Sequence, residues 1–319
     1  MKNYFLILAA LCCVLFTGCK KEDGFGSSGN EDKTEQKPGN NGDNSDDQNE
    51  ESSKIPENME LAFPDPLFRA YVLENFDTDG DGKISEEEAE AVTKIDVEYK
   101  NINSLDGIQY FTNLTYLNCT YNKIASLDVR KNTKLTTLYC NYNKLTTLDV
   151  SGCSALTYLY CYGNQLATLD VSKNTALTFL DCTYNQLTTL DVSKNTELYW
   201  LYCYSNQLTT LDVSKNTALI DLRCYSNKLT TLDVSKNTKL TFLCCYSNQI
   251  EELDLSKTNL MNSTFNNSVD SYTYPLDCSP MNTLKKVYLK KGWSIKYITE
   301  DNGRSSDRIP DHTEIIFVD

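Results

Sequence analysis

From Leu114 to Leu260 the apolar residues recur with a single period. Each block reads L-x-x-L-x-C-x-x-N-x-L-x-x-L-D-V-S-K-N-T-x, 21 residues long, and seven copies run on from Leu114, Leu135, Leu156, Leu177, Leu198, Leu219 and Leu240. The L-x-x-L-x-C portion alternates with period two, which predicts a short strand with Leu and Cys facing in and the residues between them facing out. In the first copy Leu117 and Cys119 point inward, while Tyr116, Asn118 and Thr120 point outward. Asn122, Asn143, Asn164, Asn185, Asn206, Asn227 and Asn248 stand where the chain leaves each strand. An amide side chain there can bond turn groups that have no ladder partner. The Leu-Asp-Val-Ser-Lys-Asn-Thr stretch then carries the chain back along the opposite side, with local side-chain to backbone bonds expected from its Asp, Ser, Asn and Thr.

A single block of this kind cannot bury its apolar side, but a stack of them can, and this period and leucine spacing are the signature of a leucine-rich repeat. The fold predicted is an α/β-type solenoid. It is a right-handed leucine-rich-repeat coil with a parallel β-sheet on the concave face, a helical N-terminal cap and a β C-terminal cap. Residues 95–260 form the repeats, beginning with a longer coil over 95–113 that turns Ile95 and Val97 inward. Beyond Leu260 the frame fades. Residues 261–319 read as degenerate repeats and a cap, with LKKVYL (284–289) as one last strand and WSIKYI and TEIIFV as β structure.

Residues 55–94 read as the helical cap. Asp65-Pro66 opens a helix, because Asp caps it and Pro suits its first turn, and Leu67, Phe68, Tyr71, Val72 and Phe76 form its apolar stripe. DTDGDGKISEEE follows, over 77–88. Asp77, Asp79 and Asp81 take positions one, three and five of an EF-hand loop, Gly82 the sharp turn, and Lys83 offers its carbonyl at seven. Ser85 takes position nine and Glu88 the bidentate position twelve. Calcium seeks hard oxygen ligands, and four carboxylates fall on ligand positions. Sensors of this type work in pairs around a Met-rich groove. With one loop and 4 Met in the chain, the expectation is a structural calcium clip against the first coil.

At the N-terminus Lys2 precedes the apolar run YFLILAALCCVLF and then Thr17-Gly18-Cys19. The run is too short to span a bilayer and has the form of a signal peptide, assigned to 1–18. It resembles a bacterial lipoprotein signal, which implies diacylglyceryl attachment to Cys19. Residues 19–54, rich in Gly, Ser, Asn, Asp, Glu, Gln and Lys, cannot bury enough surface to offset ordering entropy and read as a tether.

Seven cysteines of the frame form a column, Cys119, Cys140, Cys161, Cys182, Cys203, Cys224 and Cys245. Their Cβ vectors run parallel, whereas a disulfide needs them turned together and a metal needs them converging. A buried thiol ladder is the expectation, with Cys244 as the member on the exposed face.

The outward strand positions are rich in rings: Tyr116, Tyr139, Tyr158, Tyr160, Tyr162, Phe179, Trp200, Tyr202, Tyr204, Tyr225, Phe242 and Tyr246. Only Asp181, Asp221 and Arg223 bring charge there. β-propensity accounts for part of this pattern. A chain that spends charge freely elsewhere, with a net charge of −14, yet keeps this face aromatic, presents an interaction surface. The acidic balance argues against nucleic acid. The one histidine, His312, lies far from any nucleophile pattern, so no enzyme is expected.

With its calcium-type loop, its LDVSKNT coils and its export signal, the chain resembles the internalin-like leucine-rich-repeat lipoproteins of the Bacteroidetes type. Lys20-Lys21-Glu22-Asp23 resembles their signal for the outer face of the outer membrane. The resemblance implies a surface protein, lipid-anchored to the bacterial outer membrane and facing the exterior, that holds a protein partner on its concave face. A glycan-binding lipoprotein is the alternative, with sugar rings stacked on Trp200 and hydroxyls bonded by Asp181, Asp221, Asn118 and Asn141.

Overall fold

A computed structural model describes residues 54–260, 276–278, 281–292, 309–310 and 312–319. The chain divides into two units, Met1–Asp47 and Gln48–Asp319, and every described residue belongs to the second. The signal segment, Cys19, the tether as far as residue 53, and WSIKYI lie outside the described residues.

Three helices open the described chain: α1 (Met59–Ala62), α2 (Pro66–Phe76) and α3 (Glu86–Ala91). Asp65 caps α2, its Oδ1 accepting from the amides of Leu67 and Phe68 at 2.9 and 3.1 Å. Its other oxygen accepts from the amides of Asn103 and Ser104 at 2.7 and 3.3 Å, so one carboxylate both starts the helix and ties it to the first coil. Beneath it Phe63, Phe68 and Phe111 are fully buried and meet edge-on or tilted, with Phe63 5.7 Å from Phe68 and 6.0 Å from Phe111.

The repeats then build one parallel sheet of nine three-residue or shorter strands. These are β1 (Lys94–Asp96), β2 (Tyr116–Asn118), β3 (Thr137–Tyr139), β4 (Tyr158–Tyr160), β5 (Phe179–Asp181), β6 (Trp200–Tyr202), β7 (Asp221–Arg223), β8 (Phe242–Cys244) and β10 (Leu276–Asp277). Every pair is in the register that superposes equivalent frame positions, as in Leu117 beside Leu138 and Leu138 beside Leu159. β9 (Glu252–Asp254) stands at the Leu-Asp-Val position of its coil. It pairs with β11 (Lys286–Lys290), and β11 with β12 (Glu314–Val318), in a second, three-stranded parallel sheet. The last strand read from LKKVYL and the strand in TEIIFV are therefore present.

Two asparagine columns hold the coils together. In the first, Asn143 donates through Nδ2 to the carbonyls of Cys119 and Cys140 at 3.0 and 3.2 Å and accepts the amide of Ile124 at 3.0 Å. The same set recurs at Asn164, Asn185, Asn206, Asn227 and Asn248. The second column was expected to make local bonds and does not. Asn174, fully buried, donates to Val150 and Cys153 carbonyls at 2.9 and 2.8 Å, 24 and 21 residues away, and Asn195, Asn216 and Asn237 do likewise. The aspartates keep the local role, Asp170 Oδ1 accepting the Ser172 amide at 2.8 Å. Cys153 takes the asparagine place in the coil that reads SGCSA, its Sγ lying 3.3 Å from the Val129 carbonyl.

The cysteine column is buried and free of disulfides. It has eight rungs: Leu276 pairs with Leu243 and Asp277 with Cys244, which sets Cys278 beside Cys245. Burial pushes the Cys119 and Cys203 thiols up to about 12. Cys244 departs from expectation, being 7% exposed, because β10 continues the sheet past β8 with Asp277 opposite it.

Candidate functional site: the outer face of the sheet

Alternation along each strand sends two side chains per coil to the outer face, and the coil spacing of about 4.8 Å lets equivalent rings stack. Along the central column Tyr116 meets Tyr139 at 5.7 Å, Tyr139 stacks on Tyr160 at 4.4 Å, and Tyr160 on Phe179 at 4.5 Å. Phe179 then meets Trp200 at 6.2 Å and Tyr202 edge-on at 5.2 Å. Tyr158 shares the strand position of Tyr116 and Phe179 and is half-buried. Arg223 closes the column, its guanidinium 4.6 Å from both the Tyr202 and Phe242 rings. At the other end Lys94 Nζ lies 4.8 Å over the Tyr116 ring.

A second band runs along the strand exits, and half of it escaped sequence reading. Tyr99 stacks on Tyr121 at 4.4 Å and Tyr121 on Tyr142 at 4.3 Å, after which Tyr142 meets Tyr162 edge-on at 5.0 Å. Tyr184 meets Tyr204 at 5.4 Å, Tyr204 stacks on Tyr225 at 4.1 Å, and Tyr225 on Tyr246 at 4.3 Å. Tyr99, Tyr121, Tyr142 and Tyr184 all adopt positive φ, between 48° and 56°, the turn each coil makes on leaving its strand. Gly163 occupies that turn in its coil at φ 67°, and a Cβ there would stand 2.7 Å from the Tyr142 ring. The missing side chain lets Tyr142 lean across to Tyr162, so the band shifts by one residue. The signal was the residue after the third outward position, which reads Tyr, Tyr, Gly, Tyr in successive coils from Tyr121.

The face is less exposed than expected, because the rings cover one another. Tyr160, Asp181, Asp221 and Phe242 are buried, with 8, 9, 8 and 6% exposure, as are Asn118 and Asn141; the other assigned residues are half-buried. The most open rings are Tyr99 and Tyr184, at 63 and 52%.

Charge sits at the centre. Arg223 Nη2 pairs with Asp221 Oδ2 at 3.0 Å, and the Tyr202 hydroxyl donates to that same oxygen at 3.0 Å. Burial raises Asp221 above the ordinary carboxylate range, against the pull of Arg223. Asp181 is pushed up to about 6 by burial, although Thr183 donates to its Oδ1 through both hydroxyl and amide at 2.8 and 3.1 Å.

The acidic loop of the cap forms a separate cluster. Asp77, Asp79 and Asp81 bring carboxylate oxygens within 4.8 Å of one another. Asp77 accepts the amides of Gly80 and Gly82 at 2.7 and 2.9 Å, and both glycines have positive φ. The Lys83 amide bonds Asp81 at 2.7 Å. Glu88 stands outside that triad. Its Oε2 accepts the Ser85 amide at 2.9 Å in a capping box, and its Oε1 accepts the Thr78 hydroxyl at 2.7 Å. The Ser85 and Thr78 bonds hold Glu88 down to about 2. Hard carboxylate oxygens, two left-handed glycines and a buried Ile84 behind the loop fit a calcium ion.

A family model for leucine rich repeats (2 copies) matches residues 133–174. Internalin J of Listeria monocytogenes serotype 4b (strain F2365) is 43% identical over 71 residues, which is 22% of this chain and 8% of that protein. The solved functional domain of internalin J from Listeria monocytogenes, described as including a cysteine ladder, is 36% identical at a TM-score of 0.52, covering 73% of this chain and 56% of that one. Internalin C2 of Listeria monocytogenes str. 4b F2365, 23% identical at a TM-score of 0.58 over 65% of this chain and 95% of its own, is similar in fold. The chain thus spans little more than half of the internalin J structure it resembles. None of these likenesses indicates a catalytic family. Among the described residues no helix is long and apolar enough to cross a membrane. Fold, repeat frame and likeness together make this an internalin-like leucine-rich-repeat protein.

Proposed function

We propose that this chain is a non-enzymatic, surface-exposed binding lipoprotein, adhesin-like or receptor-like, that holds a protein partner on the outer, concave face of its sheet. The observation that carries this reading is the pair of aromatic bands running across the sheet, interrupted at the centre by Asp181, Asp221 and Arg223. Aromatic and Arg side chains dominate the energetics of protein interfaces. A protein rather than a glycan is favoured by the stacking itself. Rings 4.1 to 4.5 Å apart cover one another's faces, and a sugar ring needs a free face. What the bands leave open are ring edges, phenol hydroxyls and the central charges, which suit polypeptide.

The anchor is a lipid on Cys19, the tether is the segment up to residue 54, and the location is the outer membrane facing the cell exterior. The ion is a structural calcium held by Asp77, Asp79, Asp81, the Lys83 carbonyl, Ser85 and Glu88. Both follow from sequence motifs, and the clustered carboxylates support the second.

The test sets an array of surface proteins against a glycan array, probed with the folded chain. Trp200→Ala with Tyr204→Ala should weaken a protein partner at least about tenfold, since hot-spot truncations cost ~2 kcal/mol or more. Replacing Lys173, Lys194 and Lys215 on the opposite side should change binding little. A ligand found only among glycans, or one that follows those lysines, overturns the reading.

A further inference from the structure

We propose that the middle of this face is a receptor for a lysine side chain of the protein partner, with the Asp181 carboxylate taking the ammonium group and the surrounding rings taking its stem. The inference rests on the concave-face reading and names what that face recognises.

Register sets the pocket. Asp181 lies between Tyr160 on β4 and Tyr202 on β6, while Phe179 and Thr183 flank it on the same face of its own chain segment. Asp181 as a residue is nine-tenths buried. Thr183 occupies Oδ1 twice over, and Oδ2 accepts no hydrogen bond from any described residue. A buried carboxylate with an open oxygen on the outward face of a sheet is costly to keep unless something compensates it.

Among the described residues, the charges around it leave it uncompensated. The titratable groups among the described residues whose electrostatics couple to Asp181 are Arg223, Tyr202, Tyr204 and Tyr142 on the outer side and the thiols of Cys161, Cys182 and Cys203 on the inner side, with Asp221 beside Arg223 on β7. Burial raises every one of those phenols and thiols, so they are neutral at physiological pH. Arg223 is engaged by Asp221 through Nε at 3.2 Å and Nη2 at 3.0 Å. One negative charge remains over the three ionised groups, at Asp181.

Rings around an anion make a site for a cation, and this face already treats cations in that way. Both Lys94 and Arg223 lie over its rings, at 4.8 and 4.6 Å. Ammonium fits better than guanidinium because Arg prefers to engage both carboxylate oxygens, and Oδ1 is taken. A lysine stem can also lie along the apolar ring edges that the stacking leaves open while its head reaches the charge.

The probes are capped Gly-Lys-Gly and Gly-norleucine-Gly peptides, titrated calorimetrically into the full chain. Norleucine keeps the stem and lacks the ammonium group. The lysine peptide should bind about tenfold more tightly, and Asp181→Asn should erase that difference, a change of about 1.4 kcal/mol. Acidification from about pH 7.5 to about pH 5 should weaken lysine binding in the parent and leave Asp181→Asn unaffected. Asp212→Asn, the same charge change in an exposed turn, should behave like the parent. No binding of the lysine peptide, equal binding of the norleucine peptide, or full binding by Asp181→Asn overturns the inference. If a protein partner is lost with Trp200→Ala but kept by Asp181→Asn, the lysine inference falls while the concave-face reading stands; a partner that follows the opposite-side lysines removes both.

Discussion

The inner and outer columns of the sheet are built on the same strands and obey different rules. The inward strand positions are Leu and Cys in all seven regular coils, because each meets copies of itself in the neighbouring coils of a dry core. The outer positions vary from coil to coil, yet they too find neighbours, since rings stack on the rings of adjacent coils. Repetition inside yields cohesion. Variation outside concentrates at β5 to β7, where the aromatic column gives way to Asp181, Tyr202, Asp221 and Arg223. In a solenoid each coil touches only its neighbours, so a break in an outer column is local and leaves the inner columns intact. The outer face can therefore hold an energetically unfavourable group that the inner columns could not.

The strongest way to break the comparison is to remove an inner asparagine. Asn185→Ala deletes the bonds from Asn185 to the carbonyls of Cys161 and Cys182 and from the Leu166 amide, all buried. Each orphaned buried group costs about 1–3 kcal/mol, so a loss of about 3–5 kcal/mol is expected in urea unfolding. Gln186→Ala, on the exposed next residue, should stay within about 0.5 kcal/mol. Equal effects would deny the inner column its special standing.

Asp181→Asn acts in the opposite direction. Burial lifts the Asp181 carboxyl from its ordinary 3.8 to about 6, so its protonated form is the one the fold favours. Stability from that preference is fully present below about pH 4 and is lost as pH rises through 6. At pH 8 the ionised carboxylate imposes its full cost, at most ~3 kcal/mol for a shift of this size, and Asn removes it. The variant should be the more stable protein at pH 8 and equal to the parent near pH 3.5. A variant less stable than the parent at pH 8 would show that the charge supports the fold.

How far the sequence carried this picture depends on whether a feature repeats with the frame. The inward Leu and Cys, the first asparagine column and the parallel sheet follow from one period, so they were legible. Cys278 repeats the Leu-Asp-Cys of Leu180, Asp181 and Cys182, but it stands 33 residues after Cys245, and a fixed period of 21 passes over it. Burial of Cys244 was missed for the same reason, since the strand beside it belongs to that displaced coil. The second asparagine column was read as local because its residues sit among turn formers, whereas in a stack the orphan carbonyls belong to the coil before. The tyrosines at positive φ were hidden in the turn, where a ring looks like an accident until its neighbour 4.3 Å away is seen.

Gly163→Ala probes the outer columns by adding a single methyl group. The new Cβ would meet Tyr142 at 2.7 Å at a backbone angle that favours glycine, so a cost of about 1–3 kcal/mol is expected. Combining it with Tyr142→Ala should restore part of that loss, because the ring is the obstacle. If the double variant is the exact sum of the two single ones, the Tyr142 ring is not the obstacle that the added methyl meets.

Calcium should have the smallest effect, because the loop is already organised by its own bonds. Asp77 accepts two loop amides and Glu88 completes a capping box, so an ion adds ligation to a turn that is largely preformed. Extracellular sites of this chemistry bind at about 10⁻⁴ to 10⁻³ M, and calcium at ten times the dissociation constant contributes about 1.4 kcal/mol. For a folded unit of this size that corresponds to a rise of about 3–6 °C in the thermal midpoint. Chelation, or Asp79→Ala, should remove the rise and leave the β signal of the repeats unchanged, since the strands of the sheet begin only at Lys94, after the loop. Glu88 adds a pH signature. Its carboxyl is held near 2, below its ordinary 4.5, so its contribution is present above about pH 4.5 and is lost as pH falls toward 2. Calcium-independent melting of parent and Asp79→Ala alike would reduce the loop to a capped helix start, and the cap would then be held by its own bonds and core, among them Asp65, the Asn113 bond to the Glu90 carbonyl and the buried phenylalanines.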